Sequence, residues 1–355
     1  MRIIYGCNTQ GQGHLSKAAT LVPMLEARGH EVRVISSGPQ PPSIYQFRWH
    51  RHFPGLPYVL REGKTDYFQT VRNWSRALPQ TFRGLQELRK VVQEFEPDLI
   101  ISDFEPLTGS PFLQARCEVV SMCRQVALLD PDVPLPPVPI TLQQRMIGTM
   151  IRTFTMGATR FHGFHYSPDS HRCLPPVIRN DLLRFPVLEG EHLFIYNYHH
   201  TGHGEIHRLL EWSNRRKIPV RVYGYPGEIS RGWHGHVLMQ PSDRHQMMVD
   251  LATCRAALVT SGLTTPLEAF LLKKPCLTVP LEGQWEQYTN AWHLERAGMA
   301  KMSLTWDYDG ALELPAPDAN HPAWNWLTTS AEEILDVVLK ESPLRHTAIF
   351  GQHAA

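Results

Sequence analysis

The stretch "VTSGLTTPLEAFLLKKPCLTVPLEGQWEQYTNAWHLERAGMA", residues 259–300, decides the fold. A short apolar strand, "AALVT" (256–260), runs into Ser261-Gly262. A helix then opens through Thr264 and Thr265, with Pro266 in its first turn, where the missing N–H costs nothing. A second apolar strand, "PCLTVP" (275–280), follows, and Glu282-Gly283-Gln284 leads into another helix. Short, wholly apolar strands that alternate with helices predict a parallel sheet covered on both faces by crossover helices.

The same alternation extends outward in both directions. Further strands are expected at 192–197 and 218–223, and helices at about 205–216, 243–253, 264–273 and 286–297. In the first half, strands are expected at 2–7, 30–36, 98–102 and 118–122. Helical spacing appears at 15–28 and at 76–95, where Leu78, Phe82, Leu85, Leu88, Val91 and Val92 share one side. Proline-rich stretches at 131–141 and 173–181 interrupt the pattern. The fold class read from this is α/β, with two Rossmann-like, doubly wound domains at 1–185 and 186–340 and a polar tail at 341–355.

Bulk composition narrows the function. The 355 residues include 42% hydrophobic residues, enough for a core in each half. The balance of 35 basic against 34 acidic residues argues against a dedicated nucleic-acid binder, which would carry a clear basic excess, and leaves room for a local basic patch. None of the six cysteines forms a Cys-x-x-Cys pair, so a reduced, cytoplasmic thiol set is expected. The N-terminus reads as a strand rather than a signal peptide, and no apolar run approaches the ~20 residues that span a bilayer.

In open parallel sheets ligands bind at the carboxyl ends of the strands. The first strand ends at Gly11-Gln12-Gly13-His14. Glycines let a backbone approach a ligand closely, and a helix start favours negative charge. His14 reads either as a helix-capping turn residue or as an imidazole aimed into a ligand crevice. The "DLIIS" strand (98–102) ends at Asp103, which is either an ordinary turn residue or a site carboxylate. If it reaches His14, it fixes the ring's tautomer and makes a competent base. In the decisive stretch, Gly262, Thr264 and Thr265 offer amides and hydroxyls suited to a diphosphate. Glu268 suits a ribose diol. Gln284, Glu286, Gln287 and Asn290 are either a polar helix start or a set of donors and acceptors for sugar hydroxyls.

These residues together resemble the GT-B glycosyltransferases, in particular those related to the peptidoglycan N-acetylglucosaminyltransferase and to the UDP-dependent glycosyltransferases. The likeness is carried by Glu282-Gly283-Gln284-Trp285-Glu286-Gln287-Tyr288-Thr289-Asn290-Ala291, by Ser261-Gly262 with Glu268, by Pro97–Asp103 and by Gly11-x-Gly13-His14. It implies two domains facing across a cleft and a nucleotide-sugar donor, expected to be a UDP-sugar. By resemblance Gly13 belongs to the donor-facing turn, and Gly262, Thr264 and Thr265 hold the diphosphate. Glu268 takes the ribose, while Gln284, Glu286 and Gln287, with Asn290 in support, meet the sugar. His14 is the implied base and Asp103 its orienting acid. The implied transfer inverts the anomeric centre and uses no metal or other cofactor. A hydrolase or epimerase on the same fold, or a silent nucleotide-sugar binder, are the alternatives.

The chain departs from the family at "NYHHTGHGE" (197–205), where His199, His200, His203 and His207 surround the glycines. They read as cleft-lining residues or, through the i, i+4 pair His203 and His207, as metal ligands. The acceptor (small molecule, glycan, lipid or nucleic acid) is expected on the first domain, near 38–75 and 130–175. The first of these segments is basic through Arg48, Arg51, Arg61 and Lys64. The helix at 141–160, with Arg145, Arg152 and Arg160, reads either as core or as a peripheral contact with the inner membrane surface.

Overall fold

The computed structural model describes residues 1–41, 45–61, 64–138, 141–179, 181–196, 203–225, 229–241 and 243–340. The chain divides into two units: Met1–Val59 with Asp66–Ile178 and the residues from Asn325 onward, and Leu60–Thr65 with Arg179–Trp324. The junction thus falls at 178/179, where the sequence reading put it at 185/186. Residues 325–340, expected in the second domain, belong to the first unit.

Up to residue 178 the order is β1 (Arg2–Asn8), α1 (Gln12–Ala27), β2 (Glu31–Ser37), β3 (His50–Phe53), β4 (Val59–Arg61), β5 (Lys64–Asp66), α2 (Tyr67–Phe95), β6 (Leu99–Asp103), β7 (Glu118–Cys123), α3 (Arg124–Ala127), α4 (Leu142–Thr155), β8 (Arg160–Phe164) and β9 (Cys173–Leu174), all of it in unit 1 except Leu60–Thr65 of β4 and β5. Seven strands form one sheet in the order β3-β2-β1-β6-β7-β8-β9, and β4 pairs with β5. All the neighbours in the seven-stranded sheet run parallel. Residues 3–8 of β1 and all of β6 are buried because helices cover both faces. The strand order reverses at β1, which pairs with β2 on one side and β6 on the other. That reversal opens a crevice at the strands' carboxyl ends.

Two helices differ from expectation. α2 begins at Tyr67, because Asp66 caps it by accepting from Gln69 N–H at 2.9 Å, and it runs on through Pro79. Its expected core stripe holds only in the C-terminal half, where Leu85, Leu88, Val91 and Phe95 pack with Ile4, Ile35 and Ile100. Leu78 and Phe82 are exposed, as are Phe68 and Val71. α4 opens with a reciprocal Thr141–Gln144 capping box. Ile147, Met150, Ile151 and Phe154 of α4 pack with Phe104, Val126 and Leu128. The apolar stripe proposed for a membrane is therefore core. Arg160, read as its basic partner, instead donates to Val337 O and Val338 O, and pairs with Glu118.

In unit 2 the order is β10 (Leu193–Tyr196), α5 (His203–Arg216), β11 (Val220–Tyr223), β12 (Gly232–His234), β13 (Val237–Met239), α6 (Arg244–Ala252), β14 (Ala256–Thr260), α7 (Thr265–Leu271), β15 (Cys276–Val279), α8 (Trp285–Arg296), β16 (Lys301–Met302) and α9 (Tyr308–Glu313). The sheet order is β12-β13-β11-β10-β14-β15-β16, again with the reversal at the first strand, β10. Only β12 runs antiparallel to its neighbour among the described pairs. α10 (Trp324–Leu327) and α11 (Ala331–Val338) complete the described chain. Trp326 of α10 donates to His165 O, and Glu332 and Asp336 of α11 pair with Arg28, so these residues complete unit 1. All six cysteines are free.

Candidate active site

In unit 1 the parallel register sets Cys7 of β1 opposite Asp103 of β6. The turn after β1 therefore emerges beside the end of β6. Gly11 sits at φ 83°, a left-handed conformation that favours glycine, and caps α1. A Cβ on Gly13 would meet no atom within 4 Å. The same holds for Gly11, so the space above the helix start is open at both glycines, and only Gly11 is required by its φ.

His14 lies in the first turn of α1, and its Nδ1 is 2.7 Å from Asp103 Oδ1. The His14 ring stacks on Phe104, with centroids 6.2 Å apart and planes at 20°. Asp103 is fully buried. Burial alone would push its carboxyl up, but the charges and hydrogen bonds of His14 and Lys17 hold it below the ordinary carboxylate value. An ionised Asp103 accepts the Nδ1–H proton and leaves the Nε2 lone pair for another proton. Asp103 and His14, nominated separately from sequence, are brought together.

The loop after β6 is tied at several points. Phe104 adopts φ 56°, a left-handed conformation uncommon for a large residue. Asn8 Nδ2 donates to Phe104 O at 3.2 Å. Glu105, fully buried, accepts from Ser37 Oγ at 2.6 Å, Leu107 N at 3.1 Å and Thr108 N at 2.7 Å. Burial pushes the Glu105 carboxyl up, and these donors oppose that. Sequence reasoning missed Glu105 and Lys17. Lys17 carried a usable signal, because it lies at i+3 from His14 on one helix face.

In unit 2, Thr260 of β14 is in register with Val279 of β15. The loops that follow both strands therefore leave the same end of the sheet. One loop carries Gly262, Thr264, Thr265 and Glu268; the other carries Gln284, Glu286 and Gln287. A Cβ at Gly262 would also meet nothing within 4 Å. Thr264 is the N-cap residue of α7, with no side-chain cap bond of its own, and Thr265 is buried. Glu268 is buried, which pushes its carboxyl up, while Arg244 and Arg179 pull it down. Gln284 is the N-cap residue of α8, and Glu286 stands in its first turn. Gln287 Oε1 accepts from Leu281 N at 3.0 Å and so braces the loop. Asn290 is buried and donates to Ser261 O at 3.1 Å, so it ties α8 to the end of β14.

Of the histidines at 197–207, His199 and His200 lie outside the described residues. His203 opens α5, and His207 is exposed on it. Among the described residues, no cluster of three or more His, Cys, Asp or Glu side chains is arranged to hold a metal ion. Arg51 of the basic segment pairs with Glu87 at 2.6 Å, and Arg48 is exposed; the side chains of Arg61 and Lys64 lie outside the described set.

A family model described as glycosyl transferase family 1 matches residues 1–311. No curated protein matches the chain in sequence. Among solved structures, the glycosyltransferase SsfS6 of Streptomyces sp. SF2575, complexed with thymidine diphosphate, is similar at TM-score 0.60 and 16% identity, covering 96% of this chain and all (100%) of its own. LpCGTa in complex with UDP matches at TM-score 0.58 and 16% identity, over 97% of this chain and 94% of its own. The glycotransferase of kitacinnamycin matches at TM-score 0.58 and 14% identity, over 97% and 95%. At such identities the likeness is one of fold, the GT-B fold of two Rossmann-like domains. Because the family model takes in both switch points and every candidate residue from Gly13 to Asn290, the chain belongs to glycosyl transferase family 1.

Proposed function

We propose that this glycosyltransferase moves a sugar from a nucleotide-sugar donor, a UDP-sugar first among the candidates, to a hydroxyl acceptor by direct displacement with inversion. Unit 2 holds the donor: Gly262, Thr264 and Thr265 face the diphosphate, Glu268 the ribose, and Gln284, Glu286 and Gln287 the sugar. Unit 1 takes the acceptor. His14 Nε2 accepts the acceptor's hydroxyl proton as the oxygen attacks the anomeric carbon. The bond from that carbon to the diphosphate breaks, and the nucleoside diphosphate leaves. Asp103 balances the imidazolium as it forms. Amides and hydroxyls at 262–265 stabilise the leaving group, and the reading requires no metal. UDP and thymidine diphosphate in the similar structures support a nucleotide donor.

The observation that carries the reading is the 2.7 Å contact of His14 with buried Asp103 at the sheet's point of reversal. The test is a thermal-shift screen of nucleotide sugars followed by transfer assays. A binding donor raises the melting temperature by mass action. Release of UDP from a UDP-sugar at the same rate with and without acceptor would replace the transferase by a hydrolase.

We also place the chain at the inner surface of a cytoplasmic membrane, through α2 rather than α4. Phe68, Val71, Leu78 and Phe82 line its exposed face, with Arg72, Arg76 and Arg83 exposed beside them. No acidic residue interrupts the stretch between Asp66 and Glu87. An apolar stripe with a cationic flank is the pattern of a helix lying on anionic lipid.

A further inference from the structure

Resting on the reading of His14 as the base, we propose that Lys17 is a positioning residue for transfer: its ammonium shares one Asp103 oxygen with the His14 ring and keeps that ring in its neutral, proton-accepting form. Lys17 Nζ lies 2.8 Å from Asp103 Oδ1, the same atom that His14 Nδ1 meets at 2.7 Å. The lysine is only 3% exposed. Its ammonium also stands 4.6 Å from the centroid of the Phe164 ring on β8, a second hold on the cation. Asp103 Oδ2 is buried with no hydrogen-bond partner among the described residues, so the carboxylate's side-chain partners all meet at Oδ1.

The charge count gives the arrangement its consequence. A buried carboxylate facing an imidazole alone forms its most favourable pair when the ring is protonated, and a protonated ring cannot accept a proton. With Lys17 present, carboxylate and ammonium already sum to zero. A proton on the ring would then leave a net positive charge in a buried place, which burial disfavours. Lys17 thereby aims the carboxylate and withholds part of its charge from the ring until reaction.

Three of the other titratable groups facing this cluster leave the count unchanged near neutral pH. Tyr5 and Cys7 project from β1 and Cys123 from β7, and burial pushes all three up, Cys123 to about 12. They stay neutral. Glu105, after β6, faces Cys7, and burial pushes its carboxyl up while the donors from Ser37, Leu107 and Thr108 hold it.

The experiment compares wild type, Lys17→Met and Lys17→Arg in the full chain. Circular dichroism and the UDP-induced thermal shift report fold and donor binding. The pH–rate profile of transfer and the NMR titration of the His14 ring, assigned with His14→Gln, report the inference. In Lys17→Met the acid limb and the ring titration move up by about one pH unit. Transfer at pH 7 falls several-fold and recovers in more alkaline buffer. Lys17→Arg keeps the charge and both curves stay near wild type. A folded Lys17→Met with unmoved curves overturns the inference. Should Lys17→Met fail to fold, the wild-type ring decides: neutral, with the proton on Nδ1, at pH 7.5 supports the inference, and doubly protonated overturns it. Wild-type transfer by His14→Ala would remove the base reading alone, and the ring titration would still decide the role of Lys17.

Discussion

Ser37 Oγ donates to Glu105 at 2.6 Å, a bond that ties the end of β2 to the loop following β6. Because the same carboxylate also takes the Leu107 and Thr108 amides, it holds the turn in which Phe104 sits at φ 56° beside Asp103. Glu105→Gln keeps the size but turns one accepting oxygen into a donor. Facing donors there, it should cost about 1–3 kcal/mol. Chemical denaturation measures the loss, and transfer should fall along with it as the Asp103 loop loosens. Full stability in Glu105→Gln would mean that the turn is held by something else.

Donor binding and chemistry should separate by unit. Glu268→Ala is expected to abolish the thermal shift produced by the donor. His14→Ala should keep that shift and lose transfer, with kcat down by about 10²–10⁴-fold, the range of general base catalysis. Asp103→Asn should fall in the same range, since an amide can neither balance the imidazolium nor hold the ring's tautomer. A His14→Ala enzyme with unchanged kcat would remove the base from the mechanism.

Asn290 was expected to support the residues that meet the sugar, and its side chain braces the start of the loop after β14. Its amide donates to Ser261 O, and Ser261 Oγ in turn accepts from Thr278 Oγ1 at 2.8 Å. Asn290→Ala leaves a buried carbonyl without that donor, at a cost of about 1–3 kcal/mol. The measurable signature is a lower melting temperature together with weaker donor binding, because Gly262 follows directly on Ser261. Lost turnover at unchanged stability would instead put Asn290 on the sugar.

The α2 face predicts sedimentation with vesicles. Phe68→Ser with Phe82→Ser should reduce binding to vesicles rich in anionic lipid and leave the unfolding free energy within about 0.5 kcal/mol of wild type per substitution, as expected for exposed positions. Raising the salt should weaken wild-type binding, since Arg72, Arg76 and Arg83 act through screened charge. Equal binding to neutral and anionic vesicles would contradict the cationic part of the argument.

What the sequence made legible follows from which signals are local. Strands β1, β6, β14 and β15 are buried on both faces and read directly as apolar runs. The candidate residues at their ends could be nominated because a strand end before a helix is a local pattern. β3, "HRHF", and β8, "RFHGF", carry too few apolar residues to stand out, and only their parallel neighbours make them strands. The stripe on α2 failed for a similar reason: periodicity tells which side is apolar, and only the sheet's extent determines how much of it is covered. Glu105 was invisible because its role depends on Ser37, 68 residues away.

Acid should weaken the fold through Asp103. Asp103 is held below the ordinary carboxylate value in the folded chain, against an unfolded value of about 3.9. A depressed folded value means that the folded state binds this proton less readily than the unfolded chain. Asp103 therefore contributes stability above about pH 4, and that contribution is lost as pH falls through the folded value. Asp181 is shifted in the same direction by its hydrogen bonds from Arg179, but it is half exposed, so solvent screening makes its contribution small. Denaturant titrations between pH 5 and 2.5, chosen to bracket that window, should show wild-type stability falling with a steeper slope than that of Asp103→Asn. The slope is the informative quantity, because Asp103→Asn also leaves Lys17 buried without its carboxylate and lowers stability at every pH. Parallel slopes would show that His14 and Lys17 do not stabilise the ionised carboxylate, and the charge balance assigned to these three residues would fall with it.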